Sequence, residues 1–376
     1  MVLLSGPNMG GNVWKYVKDC LDTGWVSSVG AYVDQFEKMT AEYTGAKYAV
    51  ATSSGTTALH IALLLAGVEQ DDYVITNNVT FVATCNSIRY VGAQPILMDA
   101  DKDNWQMDLD LLEQFLQEET LIRDGKCIYK KDGRTIPVLM PVHVLGNMCD
   151  MDRLMAICKK HHLLLIEDST EALGSFYKNK HAGTFGIMGT LSYNGNKIIT
   201  TGGGGMILTD DETIAKKAKH LTTQAKSDPF EYMHDEIGYN YRLVNVAAAM
   251  GVSQMELLPD FLARKKEIIS FYKNELENTG DITFQKVHAD VNPNWWMPTI
   301  ASVNQRTLLQ KLNEAKLQSR PFWIPMNRLP MFRENIYYNQ HDRSEQLYHH
   351  CLSIPCSTNI SAESLEAVAR VLKSCF

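Results

Sequence analysis

The chain has 376 residues, 45% of them hydrophobic and 21% charged, a balance typical of a folded enzyme of two or three domains. Thirty-six basic residues against 43 acidic ones leave a net charge of −7. That excludes nucleic acid as a partner held by overall charge, because no positive surplus exists to displace counterions from phosphates. The longest apolar stretches, near 59–67 and 163–166, fall short of the ~20 residues that a bilayer span needs. The first residues lack the basic and apolar regions of a signal peptide. The expectation is a cytoplasmic protein with no membrane partner. None of the eight cysteines forms a Cys-x-x-Cys pair, so no metal knuckle is readable and free thiols in or near the core are expected.

From 47 to 210 the pattern alternates between strand and helix. Residues 48–51 read as a strand and 56–66 as a helix. Residues 73–76 form the next strand, with a helix around 81–90, a strand at 95–99 and a helix at 109–117. The segment 123–134, rich in Lys, Asp and Gly, reads as an exposed hairpin or loop. Residues 136–143 and 162–168 read as strands around a helix at 151–161. Repeated strand–helix units imply an α/β fold with a mainly parallel sheet covered on both faces. Ligands of such sheets sit beyond the carboxyl ends of the strands, which gathers 53–57, 76–81, His143 and Asp168 around one crevice. After about Gly251 the pattern changes. Residues 257–276 read as a long charged helix, and the rest reads as a smaller α+β unit punctuated by Pro298, Pro321, Pro325, Pro330 and Pro355. A helical tail is expected at 361–372 behind a Ser cap. The expected division is a large unit over 1–250 and a small one over 251–376.

Three features carry chemistry. In the run Ser53, Ser54, Gly55, Thr56, Thr57, a strand ends and a helix begins. Free N–H groups and the positive helix end form a cup for an anion there, although the same residues also make an ordinary cap. Asp168 closes an apolar strand, where a carboxylate holds its charge only beside a cationic partner. The third feature runs from Ser192 through Lys197 to the glycines at 202–205. Lys197 stands among neutral neighbours, which suits it to a lowered pKa and Schiff-base chemistry. The glycines do not form a dinucleotide turn, since no Gly-x-Gly-x-x-Gly follows an early strand. A phosphate cup, an acid at a strand end and a lysine are together the parts that pyridoxal 5′-phosphate requires: the lysine forms the imine and the acid keeps the ring nitrogen protonated. Phe81, just past a strand, is placed to stack on the ring.

The chain resembles the fold-type I, pyridoxal-phosphate-dependent sugar aminotransferases of the DegT/DnrJ/EryC1/StrS family. The resemblance rests on Gly24, Trp25, Val26, Ser27, Ser28, Val29 and Gly30, on the Ser-Gly-Thr-Thr cup, and on Pro141, Val142 and His143. It rests also on Glu167 and Asp168 with Glu171 and Gly174, on 192–197, and on Gly238, Tyr239, Asn240, Tyr241 and Arg242. It implies that Lys197 is joined to the cofactor and later shuttles the proton, and that Asp168 pairs with the pyridine nitrogen. It implies further that Phe81 stacks on the ring, that Gly55, Thr56 and Ser192 hold the phosphate, and that Asn240 reaches the phosphate in a neighbouring subunit. The implied assembly is a homodimer with shared active sites. Glu171 stands where many members carry glutamine near the cofactor's phenolic oxygen, and Val13 stands where glutamate is expected.

Within that family the lysine context is similar to enzymes that aminate C4 of UDP-linked 4-keto-6-deoxy-2-acetamido sugars with L-glutamate as donor, in the making of surface glycans. A GDP- or dTDP-linked keto sugar is the alternative. A sugar dehydratase is disfavoured because those relatives replace the lysine with histidine. Trp25, Ser27 and Ser28 are expected at the sugar entrance, and His143 is expected to contact sugar or diphosphate. Trp295 and Trp296 either line the pocket or pack the small unit. Arg320, Trp323 and Arg328 are weighed for the nucleotide without assignment.

Overall fold

The computed structural model describes every residue except Ser28 and Pro229. Helices α1 (Val13–Thr23) and α2 (Ala31–Thr44) open the chain. Strands and helices then alternate: β1 (Tyr48–Thr52), α3 (Gly55–Leu65), β2 (Tyr73–Asn77), α4 (Ala83–Tyr90), β3 (Gln94–Met98) and α5 (Leu109–Glu119). There follow β4 (Val138–Met140), α6 (Met151–Lys160), β5 (Leu164–Asp168), β6 (Met188–Ser192), β7 (Gly205–Thr209) and α7 (Glu212–Thr222). These strands form one sheet in the order β1-β7-β6-β5-β4-β2-β3, with β8 (Tyr337–Tyr338) added beyond β3. All neighbours from β6 to β8 are parallel. Only β7 breaks the pattern, antiparallel to both β1 and β6. Residues Thr120–Arg123 and Lys126–Tyr129 pair as a hairpin that starts before the expected 123–134 segment, and Cys127–Tyr129 are buried rather than exposed.

The alternation of side chains across each strand sets up two cores. Val74, Val138, Met140 and Ile166 face the side covered by α3 and α7. Ile75, Leu139 and Leu165 face the side covered by α5 and α6. A one-residue slip would exchange these faces, so the apolar runs fix the register. Both faces being buried also explains why the strands read as unbroken apolar runs.

The long helix α8 (Asn245–Leu276) begins well before the expected start near 257, and it runs on through Pro259. Its first turns are rich in small residues that periodicity does not flag. Those residues serve close packing: a Cβ on Gly251 would lie 2.8 Å from the Phe36 ring. Position 250, the expected boundary, therefore lies inside this helix. Beyond α8 a four-stranded antiparallel sheet is ordered Thr283–Phe284, Thr299–Ala301, Cys351–Ser353, Arg320–Pro321. It carries α9 (Gln305–Glu314), α10 (Arg343–His350) and α11 (Ala362–Lys373). The Ser361 hydroxyl caps α11 by accepting from the Ser364 N–H.

The two units exchange chain. Tyr337–Tyr338 returns to the large sheet as β8. In the opposite direction Val2 bridges Leu317, and Leu4 accepts from the Cys356 N–H at 2.6 Å. Seven cysteines are buried and Cys375 is half-buried, all as free thiols. Among the described residues no helix is long and apolar enough to cross a membrane.

Candidate active site

Beyond the carboxyl ends of β2, β5 and β6 lies a cavity of about 390 Å³, lined by Gly55, Thr56, Phe81, Asp168, Glu171, Ser192 and Lys197 among others. Its floor is the start of α3. Ser54 and Thr57 form a reciprocal cap, each side chain accepting from the other's backbone N–H. The Ala58 N–H bonds the Ser54 carbonyl. That leaves the N–H groups of Gly55 and Thr56 as the free donors of the helix start, directed with the positive end of its dipole. Nothing larger than glycine fits at 55, because a Cβ there would sit 2.9 Å from Ser192 Cβ and 3.0 Å from Thr170 Cγ2.

Asp168 is 2% exposed. Its Oδ2 accepts from the Thr84 hydroxyl at 2.7 Å, and its Oδ1 accepts from the Thr170 hydroxyl at 2.7 Å and the Thr170 N–H at 3.2 Å. These donors orient the Asp168 carboxyl group, which also lines the cavity. Behind it Glu167 is fully buried. Its two oxygens accept from His143 Nε2 (2.9 Å) and from the backbone N–H groups of Gly183 (2.8 Å), Phe185 (2.6 Å) and Gly186 (2.9 Å). Burial alone would raise this carboxyl, yet the His143 contact and the backbone donors hold it below its ordinary value.

Lys197 occupies a turn behind β6, where its N–H bonds the Asn194 carbonyl. Burial lowers the pKa of its amine, opposed first by the charge of Glu171 and then by Asp168. Glu171 Oε1 lies 3.9 Å from the amine, and Glu171 Oε2 accepts from the Leu145 N–H at 2.8 Å. Burial pushes the Glu171 carboxyl up to about 7, with Lys197 pulling it down. Both members of the pair are thus moved toward their neutral forms, and a neutral amine is able to act as nucleophile or base near neutral pH.

The residues present fit pyridoxal 5′-phosphate. The α3 start with Ser54 and Ser192 would take the phosphate, Asp168 the protonated ring nitrogen, and Lys197 the aldehyde carbon. Phe81, 55% exposed despite its size, offers an uncovered ring face at the cavity wall.

The other expected residues are placed elsewhere. His143 is 1% exposed and bonded to Glu167. It does not line the cavity, so the expectation that it contacts sugar or diphosphate is corrected: the strand end turns it under the sheet, where the buried Glu167 carboxylate accepts a hydrogen bond from its Nε2. Trp25 lines a separate cavity with Asp19, Tyr32, Lys219 and Asn245. Ser27 is exposed and offers its carbonyl to the Asn245 N–H. Neither reaches the cavity of its own chain, and Ser28 lies outside the described residues. Asn240 is exposed and bridges Thr223, also away from its own chain's cavity. Val13 opens α1.

Sequence reasoning missed Thr84 and Thr170, although Thr84 lies three residues after Phe81 and so on the same face of the helical turn. Trp296 and Trp323 line the cavity from the small unit. Of the residues weighed from the sequence without assignment, Trp296 and Trp323 thus reach the cavity, while Trp295, Arg320 and Arg328 are not among its lining residues.

Comparison with known proteins agrees with this geometry. The profile of the DegT/DnrJ/EryC1/StrS aminotransferase family matches residues 7–373. The GDP-perosamine synthase of Escherichia coli O157:H7 is 36% identical over 96% of this chain and 94% of its own. That of Caulobacter vibrioides is 36% identical over 88% of this chain and 86% of its own. Among solved structures, PseC of Helicobacter pylori, an aminotransferase involved in pseudoaminic acid biosynthesis, superposes with a TM-score of 0.89. It is 25% identical and covers 100% of this chain and 98% of its own. The chain belongs to the DegT/DnrJ/EryC1/StrS aminotransferase family and is a pyridoxal-phosphate-dependent sugar aminotransferase.

Proposed function

We propose that this enzyme transfers an amino group from L-glutamate to C4 of a GDP-linked 4-keto-6-deoxy sugar. The observation that carries the choice of nucleotide is the 36% identity, over 96% of the chain, to a relative named GDP-perosamine synthase. The UDP-linked 2-acetamido sugar expected from the lysine context has weaker support, because it rests on the short motif around Lys197 alone, whereas the identity to the GDP-perosamine synthases runs over 96% and 88% of the chain.

The cofactor, when bound, supplies an electron sink and carries the amino group between donor and acceptor. The chain's own residues do the rest. The N–H groups at the start of α3 and the Ser54 and Ser192 hydroxyls would hold the phosphate. Asp168, held by Thr84 and Thr170, would keep a proton on the ring nitrogen. Phe81 would offer its ring as a stacking face. Lys197 would hold the cofactor's aldehyde carbon and would take and return protons as the general base and acid. Asn240, Trp25 and Ser27 are exposed and outside their own chain's cavity, which suits a homodimer in which they serve the neighbouring site.

Purified enzyme is to be supplied with glutamate and, in parallel, GDP-, UDP- and dTDP-linked 4-keto-6-deoxy sugars. The GDP-linked ketone is expected to yield equal amounts of 2-oxoglutarate and a GDP-linked amino sugar. A kcat/KM at least ten times higher for the UDP-linked ketone would restore the earlier expectation and overturn this one.

A further inference from the structure

The Lys197 amine rests against an aromatic face. Its Nζ lies 3.8 Å from the ring centroid of Trp296, on the side of the cavity built by the small unit. Trp296 is 2% exposed and fixed from three directions. Its Nε1 donates to the carbonyl of Asn196, the residue preceding the lysine, at 2.7 Å. Its backbone N–H donates to Asn294 Oδ1 at 2.8 Å. Its carbonyl accepts from Lys265 Nζ at 2.8 Å.

Each of these supports is itself committed. Asn294 Nδ2 donates to the carbonyls of Glu171 and Leu173 at 2.8 and 2.9 Å. It thereby ties the indole to the strand-end segment that carries Glu171. Lys265 is 1% exposed, and its Nζ also donates to the Cys356 carbonyl at 2.7 Å. A buried ammonium satisfied by carbonyls is costly to desolvate. Here it fastens two loops of the small unit to α8, one of them at the residue whose ring covers the catalytic amine.

We propose that Trp296 holds the Lys197 amine whenever that amine is not bonded to the cofactor: its ring face receives the ammonium and its Nε1 anchors the lysine turn, while Lys265 and Asn294 act through Trp296 as positioning residues. Indole is the strongest of the side-chain rings for a cation, and the attraction grows in a desolvated site. A displaced lysine has four rotatable bonds and would otherwise wander. The ring keeps it within the cavity, beside Glu171, ready to return the proton that it carries. The ionisable groups lining the cavity are Asp168 and Glu171, and both also favour the charged amine. The ring adds a contribution that does not depend on the protonation of either acid.

This inference rests on the role given to Lys197 above, and its test reads the amine without any turnover. In cofactor-free protein, competitive acylation with acetic anhydride over a range of pH, followed by peptide mass spectrometry, gives the titration midpoint of Lys197 by itself. Trp296→Leu is expected to lower that midpoint by about 0.4 to 1.5 pH units, the equivalent of one cation–aromatic contact. Trp296→Phe, with a weaker ring face, is expected to lower it by less. Lys265→Met, which keeps the indole but loosens it, is expected to move it in the same direction. An unchanged or raised midpoint in a folded Trp296→Leu protein overturns the proposal. Should that variant fail to fold, Trp296→Phe carries the test, and a midpoint equal to that of the native protein overturns it. Failure of sugar turnover with the midpoint shift intact would count against the substrate assignment alone.

Discussion

Glu167→Gln removes the negative charge that organises the loop behind Asp168 while keeping the side chain's size. In the native protein one oxygen accepts from His143 Nε2 and the Gly183 N–H, and the other from the Phe185 and Gly186 N–H groups. Glutamine offers one oxygen and one NH2, so one pair of donors meets another donor. If the NH2 faces Phe185 and Gly186, two buried N–H groups lose their acceptor. If it faces His143, the imidazole can change tautomer and accept, which leaves only Gly183 unpaired. At about 1–3 kcal/mol for each orphaned buried donor, the second arrangement wins and the loss is about 1–3 kcal/mol at neutral pH. The native carboxyl titrates below its unfolded value. Its contribution is therefore present above the unfolded carboxyl pKa, roughly 4.3, and is lost as the pH falls through the lower folded value. Urea unfolding of cofactor-free native and variant protein, followed by circular dichroism, is the assay. The variant is expected to be the less stable at pH 7, with the gap narrowing below about pH 4. Equal midpoints at neutral pH, or a gap that widens in acid, would refute the account of Glu167 as a charged clamp.

Lys197→Ala is expected to abolish sugar amination, and borohydride treatment of the native holoenzyme is expected to leave a pyridoxyl label on the peptide containing Lys197; a label elsewhere would contradict the assignment. Asp168→Asn is expected to lower kcat by at least about a hundredfold through loss of ring-nitrogen protonation, read in single-turnover amination with glutamate. Thr84→Val, nearly isosteric, takes one short hydrogen bond from the Asp168 carboxylate and should cost about 1.5–3 kcal/mol, measured as a weaker hold on the cofactor in equilibrium dialysis. Gly55→Ala drives a methyl against Ser192 and Thr170; an overpacking cost of about 1–3 kcal/mol predicts cofactor loss on gel filtration.

The parts of the fold that sequence reasoning reached are those written locally. The strands of the large sheet are short apolar runs closed by turn residues, and the cup, Asp168 and Lys197 each follow such a run, so their place at the carboxyl edge follows from the fold class. The parts it missed depend on distant contacts. The onset of α8 is hidden because its buried residues there, Ala248, Ala249 and Gly251, are small and serve close packing, Gly251 against Phe36 of α2, rather than display an apolar stripe. His143 stands at a strand end like Asp168, but the face on which a strand-end side chain settles depends on its neighbours, and Glu167 claims it. For Trp296 the sequence leaves pocket wall and core packing both open, because the lysine that it covers is distant in the chain.

The hydroxyl of Ser5 donates to the Asn196 carbonyl at 2.8 Å, the same oxygen that receives the Trp296 indole. Together with the Val2 and Leu4 pairings, this stitches the opening residues between the small sheet and the peptide bond next to the reactive lysine. Ser5→Ala removes one of the two donors to the Asn196 oxygen, and a change in Lys197 acylation in that variant would measure how tightly the leading segment governs the lysine turn.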